Sequence, residues 1–150
     1  MDDIDRKILA LLAADARRSL ADIGGVVGLS PSAVNERIRR LTASGAIRRF
    51  TVDADPAALD LSTLAFVWLA LREDADEAAF RAHAAADPAI LECHHVTGSW
   101  SYLVKVRVGS TADLEGFLAG LKRLGVIGRT ETIIALSSPV AGAFVPGEGA

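Results

Sequence analysis

Apolar residues recur at helical spacing three times within the first 45 residues. Side chains three and four positions apart lie on one face of a helix, so each set predicts a short amphipathic helix. Ser19 and Ser30 precede the second and third sets as N-caps, Pro31 takes the first helical position, and Gly45 ends the third. The three apolar sets are Ile4, Ile8, Leu11 and Leu12; Leu20, Ile23, Val26 and Val27; and Val34, Ile38 and Leu41.

A Gly-Leu-Ser turn at residues 28–30 separates the second predicted helix from the third. Two short helices joined by such a turn are typical of a helix-turn-helix, whose second helix lies in the major groove of DNA. Residues 46–52 have strand propensity, and we predict that they form the wing of a winged helix-turn-helix. A helical hairpin that makes only protein contacts is the alternative. The glycine pair at 24–25 lies inside the second helix, against helix propensity.

The third predicted helix and the segment after it carry a basic cluster. Residues 30–50 contain five arginines and one glutamate, whereas the whole chain has a formal net charge of −3. Arginine binds phosphates and guanine edges, and asparagine pairs with adenine. We expect the arginines to supply affinity and Ser32, Asn35 and Glu36 to read sequence. The predicted DNA contacts are Ser30, Ser32, Asn35, Glu36, Arg37, Arg39, Arg40, Arg48 and Arg49.

A second pattern, of alternating and continuous apolar runs, begins after a polar connection at residues 53–62. It predicts the order β-α-β-β-α-β, the ferredoxin-like arrangement, and hence an α+β fold. The first strand is apolar on both faces, which predicts that the sheet of a second copy covers the face without helices. The predicted strands are 64–71, 90–96, 101–108 and 127–136. The predicted helices are 76–86, with Ala79, Phe80 and His83 inward, and a second from Thr111 to Gly125, with Leu114, Phe117, Leu118 and Leu121 inward.

These elements predict four segments: a winged helix-turn-helix at 1–52, a linker at 53–62, a ferredoxin-like effector-binding and oligomerisation domain at 63–140, and a flexible tail at 141–150. No stretch reaches the roughly 20 apolar residues of a membrane helix. The acidic start lacks the features of a signal peptide. The chain is therefore expected to be cytoplasmic, which suits its single cysteine, Cys93.

Little in the sequence indicates catalysis, a metal or a cofactor. His94 and His95 are adjacent on a predicted strand and point to opposite faces, so they do not chelate one metal ion together. Ser99 and Ser101 lie near these histidines, but no third group completes a hydrolase triad. We expect a protein that is not an enzyme and has no cofactor and no metal site.

Short motifs along nearly the whole chain resemble the Lrp/AsnC, or feast/famine, family of transcriptional regulators. Each motif is weak alone, but their order and spacing together are specific. The resemblance implies a homodimer that binds double-stranded DNA and assembles to a tetramer or octamer. It also implies a C-terminal domain that binds a small-molecule effector, often an amino acid, between dimers. The matching residues are Ile4 to Leu9, Val27 to Ser32, Glu36 to Leu41, Gly45 to Ile47, Glu92 to His94, Val96 to Gly98, and Tyr102 with Leu103.

The resemblance places the effector site at the turn that opens the third strand, with help from the last strand of a neighbouring chain. Where the family has a Gly-Asp-aromatic-Asp-Tyr pattern, this chain has Gly-Ser-Trp-Ser-Tyr at 98–102, so hydroxyls replace both carboxylates. Since a hydroxyl offers an ammonium only a neutral hydrogen bond, we expect an effector that is not cationic. The implied effector contacts are Thr97, Gly98, Ser99, Trp100, Ser101, Tyr102, Arg129, Thr130 and Thr132.

Two other functions stay open at this point. The two-domain layout is also similar to that of sirohaem decarboxylases, and the Arg-Arg-Phe segment at 48–50 slightly resembles them. Against this, the third helix is basic and well capped, and no extra basic or histidine cluster is visible for the carboxylates of a tetrapyrrole. The other alternative is a non-sensing partner of a related regulator, or a DNA-organising protein.

Overall fold

The computed structural model describes residues 1–146, which divide into two compact units, Met1–Val52 and a second that begins at Asp53. The first unit is helical, and the second is a four-stranded sheet with helices. This confirms the predicted α+β class. The elements are α1 Asp3–Ala14, α2 Leu20–Val27, α3 Pro31–Ala43, β1 Thr63–Leu71, α4 Glu77–Ala86, β2 Ile90–His95, β3 Tyr102–Val108, α5 Thr111–Arg123 and β4 Ile127–Ile134, with a 3-10 turn at Pro56–Leu59.

The helix ends of the first unit follow the predicted caps. The hydroxyl of Ser19 accepts the backbone N–H of Asp22 at 3.1 Å, and that of Ser30 accepts the N–H of Ala33 at 3.3 Å. Gly45, just after α3, has a left-handed φ of 76°, a conformation that glycine adopts without steric cost. These local signals confirm the helix-turn-helix.

The core of the first unit forms where the three helices meet. Ile8, Ile23 and Val34 are fully buried there, one from each helix. The prediction that Val26 faces this core is wrong, since 55% of its surface is exposed. An eight-residue helix is short, and Val26 falls on the side of α2 away from its neighbours.

The prediction of a strand at residues 46–52, which would form the wing, is wrong. Within the described residues this segment is irregular and pairs with no strand. Ile47 is buried in the helical core, whereas Phe50 and Val52 are 54% and 73% exposed. A strand needs a neighbouring strand to take its backbone hydrogen bonds, and no strand among residues 1–146 pairs with this segment.

The sheet of the second unit has the strand order β2-β3-β1-β4, with every neighbouring pair antiparallel. This is the predicted ferredoxin-like arrangement. One face of the sheet is buried with residues from both α4 and α5, and this cluster is the core of the second unit. Its fully buried members are Ala65, Val67, Leu69, Phe80, Val104 and Val106.

The helices and the last strand differ in detail from prediction. Ala79 was expected to face the core but is exposed, and Ala84 is buried in its place beside Phe80. Ala84 lies four residues after Phe80 and so shares its helix face, whereas Ala79 lies about 100° away around the helix. The last strand ends at Ile134 rather than at 136, because Leu136 lies beyond the sheet and is 99% exposed.

The face of the sheet away from the helices carries a set of apolar side chains, which we call the open face. Phe66 and Trp68 of β1 belong to it, because they alternate with the buried Val67 and Leu69. Cross-strand pairing adds Ile133 beside Phe66 and Leu103 beside Trp68. Ile133 is 49% exposed.

The C-terminal segment lies against the linker. The backbone N–H of Phe144 donates to Asp53 Oδ1 at 2.7 Å, and its carbonyl accepts the N–H of Ala54 at 2.8 Å. The Phe144 side chain is buried, near the guanidinium of Arg107. This differs from the flexible tail expected from 141 onward, of which residues 147–150 lie outside the described part. None of the described helices is long and apolar enough to cross a membrane.

Candidate nucleic-acid interface and ligand site

The outer face of α3 presents the side chains that were expected to contact bases. Ser32, Asn35 and Glu36 are all exposed, because the apolar residues of α3 face the other two helices. Ser30, the N-cap, is exposed as well, and its hydroxyl lies 3.0 Å from that of Ser32. These positions fall on the first half of the helix, the half from which recognition helices contact base edges.

Four of the five predicted phosphate-binding arginines are exposed. Arg39 and Arg40 lie on α3, and Arg48 and Arg49 on the irregular segment that follows it. Arg39 approaches Glu36 only loosely, at 3.9 Å, and its side chain is 74% exposed. A pair of this kind is worth little in water, so it leaves the guanidinium available to an anion.

Arg37 differs from these four. Its Nη1 donates to Asp2 Oδ2 and to Asp5 Oδ1, both at 2.7 Å, and its side chain is only 21% exposed. The hydrogen bond from Arg37 is the main reason that the pKa of Asp5 is lowered. The N–H of Asp5, followed by Arg37, lowers the pKa of Asp2, and the two carboxylates in turn raise the pKa of Arg37.

Sequence reasoning missed this cluster. The sequence analysis places Arg37 among the DNA contacts and assigns no partner to the acids of α1. The only sequence signal was the spacing of Asp2 and Asp5, which suits a capping box at the start of α1. Nothing in that spacing indicated a partner more than thirty residues away.

The turn between β2 and β3 was predicted to bind an effector. Thr97, Gly98 and Ser99 are exposed at this turn. Ser101 is engaged inside the fold: its N–H donates to the carbonyl of Leu69 at 2.7 Å, and its hydroxyl accepts the N–H of Leu71 at 3.0 Å. These bonds tie the turn to the end of β1.

Arg129 of β4 reaches the same turn. Its guanidinium carbon lies 4.1 Å from the centroid of the Trp100 ring, and its Nη2 donates to the carbonyl of Ser99 at 3.4 Å. The Trp100 ring is 6.4 Å from that of Trp68, so this group lies on the open face. The structure therefore brings together a cation, two aromatic rings and an exposed turn.

Three of the predicted effector contacts lie on the other side of the sheet. Thr130 and Thr132 pair with Leu69 and Val67, which face the helices. Tyr102 is 3% exposed and packs on Phe80, with ring centroids 4.8 Å apart. The sheet thus separates these side chains from Trp100 and Arg129.

Tyr102 belongs to a polar cluster that the sequence did not indicate. Its hydroxyl donates to Glu77 Oε1 at 2.5 Å and accepts Nε of Arg81 at 2.6 Å, and His95 stacks on its ring. Burial and then the bond to Glu77 raise the pKa of Tyr102. Tyr102, Arg81 and His95 line a cavity of about 620 Å³, together with Cys93.

Metal and thiol chemistry find little support in the described part of the chain. Among these residues there is no group of three or more potential metal ligands. Burial raises the pKa of the half-buried Cys93 thiol, which disfavours the reactive thiolate.

Two family models match the chain: the AsnC-type helix-turn-helix domain over residues 1–42, and the Lrp/AsnC ligand binding domain over residues 64–143. The HTH-type transcriptional regulator FL11 of Pyrococcus horikoshii is 33% identical over 138 residues, which cover 92% of this chain and 91% of that protein. The leucine-responsive regulatory protein of Salmonella typhimurium is 37% identical over 139 residues, covering 91% and 85%. The structure of Escherichia coli AsnC has a TM-score of 0.87 at 26% identity and covers 97% of this chain and 99% of that one.

Proposed function

This chain belongs to the Lrp/AsnC family of transcriptional regulators, and we propose that it binds DNA through α3 as a homodimer whose sheet domain senses a small carboxylate-bearing metabolite. The observation that carries the DNA part is the outer face of α3, where Ser32, Asn35, Glu36, Arg39 and Arg40 are all exposed. The relatives matched are transcriptional regulators, which favours this function over the decarboxylase alternative.

In this proposal the exposed arginines bind phosphates. A protein that neutralises phosphates releases counterions, so the logarithm of affinity falls with the logarithm of salt concentration by about 0.9 per contact. Arg39, Arg40, Arg48 and Arg49 are the four contacts we assign. Ser32, Asn35 and Glu36 are assigned to base edges, where one good contact discriminates by about 1–3 kcal/mol.

The test uses a duplex that the wild-type protein selects from a random-sequence library, titrated at several salt concentrations. Arg40→Gln should weaken binding and reduce the salt slope by about one contact. The matched control is Arg123→Gln, the same substitution at an exposed position on α5. Equal slopes for wild type and Arg40→Gln would exclude α3 as the phosphate-binding helix.

For the effector we propose the group around Trp100 and Arg129. The exposed Arg129 guanidinium suits a carboxylate, and the Trp100 and Trp68 rings suit an apolar body. Because hydroxyls stand where a carboxylate would pair with an ammonium side chain, lysine should bind poorly. Amino acids with an uncharged, apolar side chain are the first class to test, and a relative named leucine-responsive supports leucine in that class.

The effector test is thermal unfolding of the protein against a panel of amino acids in millimolar excess. A ligand that binds only the native state raises the midpoint. Apolar amino acids should raise it, and Arg129→Gln should abolish the shift while Arg123→Gln preserves it. A lysine-specific shift would contradict the assignment. No shift with any amino acid would favour a non-sensing or DNA-organising protein.

The homodimer is proposed from the open face. Phe66, Trp68, Leu103 and Ile133 lie together on this face, opposite the helices. Apolar surface of this kind gains stability when a second copy covers it. A two-fold dimer also presents two copies of α3 to successive half-sites. Assembly of such dimers to a tetramer or octamer is part of the proposal.

A further inference from the structure

The start of α1 and the middle of α3 are joined by three charged side chains, Asp2, Asp5 and Arg37, which we call the α1–α3 clamp. Asp2 is the N-cap of α1 and Asp5 lies three residues later. Arg37 lies on α3, between the proposed base-reading residues and the proposed phosphate contact Arg39. Both bonds of the clamp are 2.7 Å long, a length typical of strong charge-assisted pairs.

Both carboxylates are also held by hydrogen bonds that do not involve Arg37. The N–H of Asp2 donates to Asp5 Oδ2 at 3.1 Å, and the N–H of Asp5 donates to Asp2 Oδ1 at 2.8 Å, which completes a capping box. Each carboxylate thus uses one oxygen for the cap. The remaining oxygens, Asp2 Oδ2 and Asp5 Oδ1, both accept Nη1 of Arg37. The capping box therefore orients two carboxylate oxygens toward the same arginine of α3.

We propose that Arg37 is a positioning residue rather than a phosphate contact, and that the α1–α3 clamp sets the orientation of α3 for sequence-specific DNA binding. The inference rests on the proposal that α3 enters the major groove. Base-edge hydrogen bonds need a fixed helix orientation, because bidentate geometry is lost with small rotations. Phosphate contacts from long arginines tolerate such rotations, so the clamp acts on specific binding more than on non-specific binding.

The sign of the charge effect distinguishes this role from simple electrostatics. Asp2 and Asp5 are negative, and removing a negative charge near DNA ordinarily strengthens binding. If the clamp positions α3, removing the Asp5 charge weakens specific binding instead. Asp3 offers a matched control on the same helical turn: its side chain is 89% exposed, and within residues 1–146 its one ion pair is with the exposed Arg6.

The experiment compares Asp5→Asn with Asp3→Asn in the full chain, on two duplexes. One is selected by the wild type from a random-sequence library, and the other has a mixed sequence without that site. Asp5→Asn should weaken binding to the selected duplex about tenfold, as loss of a base contact would, and leave the mixed duplex unchanged or bound more tightly. Asp3→Asn should bind both duplexes at least as well as wild type. If the two variants behave alike on the selected duplex, the clamp has no positioning role.

A second variant, Arg37→Gln, keeps the proposal falsifiable if Asp5→Asn loses helical structure. As a positioning residue, Arg37 contributes nothing to the salt slope, so Arg37→Gln should keep the wild-type slope and lose affinity only for the selected duplex. As a phosphate contact, it would lose about 0.9 from the slope and weaken both duplexes alike. Arg40→Gln supplies the phosphate-contact result for comparison. Failure of the wild type to select any sequence would overturn the proposed function itself and is distinguishable from either result.

Discussion

The two adjacent glycines of α2, Gly24 and Gly25, have different surroundings and therefore different roles. A Cβ on Gly24 would lie 2.4 Å from the carbonyl oxygen of Leu29, so the backbone after the helix approaches too closely for any side chain. A Cβ on Gly25 would have no heavy atom of the described residues within 4 Å, apart from its own helix backbone and chain neighbours, and Gly25 is exposed. Only the first glycine is therefore required by packing, and this accounts for half of the Gly-Gly pair.

Substituting alanine for each of the two glycines should change stability in opposite directions. Gly24→Ala should destabilise the protein by about 1–3 kcal/mol, since the backbone of Leu29 must move. Gly25→Ala should stabilise it by about 0.5–1 kcal/mol, because alanine loses less backbone entropy in a helix. Urea unfolding followed by helical circular dichroism measures both. Destabilisation of similar size in the two variants would contradict the packing explanation.

The charged cluster of the α1–α3 clamp predicts a dependence on pH. The fold lowers the pKa of Asp2 and of Asp5, so in the unfolded chain these groups bind protons more readily. Their contribution to stability is therefore present above about pH 4, the ordinary carboxyl range, and is lost as the pH falls below it. The N–H of Asp5, followed by Arg37, lowers the pKa of Asp2, and Arg37 is the largest cause for Asp5, so Arg37→Gln removes part of the lowering of both pKa values.

Thermal unfolding between pH 6 and pH 3 tests this linkage. The midpoint temperature of unfolding should fall further for wild type than for Arg37→Gln over that interval. The midpoint of Asp3→Asn should fall as far as that of wild type. The comparison between variants removes the contribution of carboxyls elsewhere, such as Glu77 and Glu92, whose pKa values are also lowered. Parallel curves for all three proteins would show that the clamp carries no pH-dependent stability.

Among the elements, the irregular C-terminal segment is held more firmly than its composition indicates. Both backbone polar groups of Phe144 bond to the linker, at Asp53 and Ala54, and its ring is 5% exposed. Arg107 adds its guanidinium over the ring at 5.7 Å and donates to the carbonyl of Leu61 at 3.1 Å. A segment without regular structure thus joins the start of the second unit to its sheet.

Truncation of Phe144 should therefore destabilise the second unit. Phe144→Ala removes a buried ring and should cost about 3 kcal/mol, the lower end for a buried phenylalanine. Val140→Ala, at a site 94% exposed, is the control and should change stability little. Urea unfolding monitored by tryptophan fluorescence reports on this unit, which contains both tryptophans. A cost near zero for Phe144→Ala would mean that the segment leaves the sheet in solution.

At the scale of the whole molecule, the open face is the surface that we propose a second copy covers. Ile133 is 49% exposed beside Phe66, and Trp68 is only partly covered by its own chain. The Trp100–Arg129 group lies on the same face, so covering this face would bring a second copy close to the proposed effector site. In the proposed dimer, assembly and ligand binding would share contacts, and each would then change the equilibrium of the other by the same factor.

A charge placed on the open face should separate the dimer. Ile133→Glu buries an unpaired carboxylate in the proposed interface, and sedimentation should show a shift towards the monomer mass. Ala78→Glu adds the same charge at an exposed position in the first turn of α4 and should leave the mass unchanged. Retention of the dimer by Ile133→Glu would place the interface elsewhere on the molecule.

Local signals sufficed for most of the elements. Each of these signals depends on residues within a few positions of each other, so a short stretch of sequence is sufficient to predict it. Examples are the caps at Ser19 and Ser30, the glycine after α3 and the alternation of β3. The order of helices and strands followed from the same signals, and the fold class followed from that order.

Contacts between distant residues decided what remained. No short pattern shows that Arg37 meets Asp2 and Asp5, or that the sheet separates Tyr102 from Trp100. The prediction of a strand at residues 46–52 was wrong for the same reason, because a strand needs a pairing partner that local sequence periodicity does not reveal. Residue type and local spacing thus determined the elements and the chemistry available. Tertiary packing alone determined which charges meet, because Coulomb and hydrogen-bond energies depend on distances that the chain acquires only on folding.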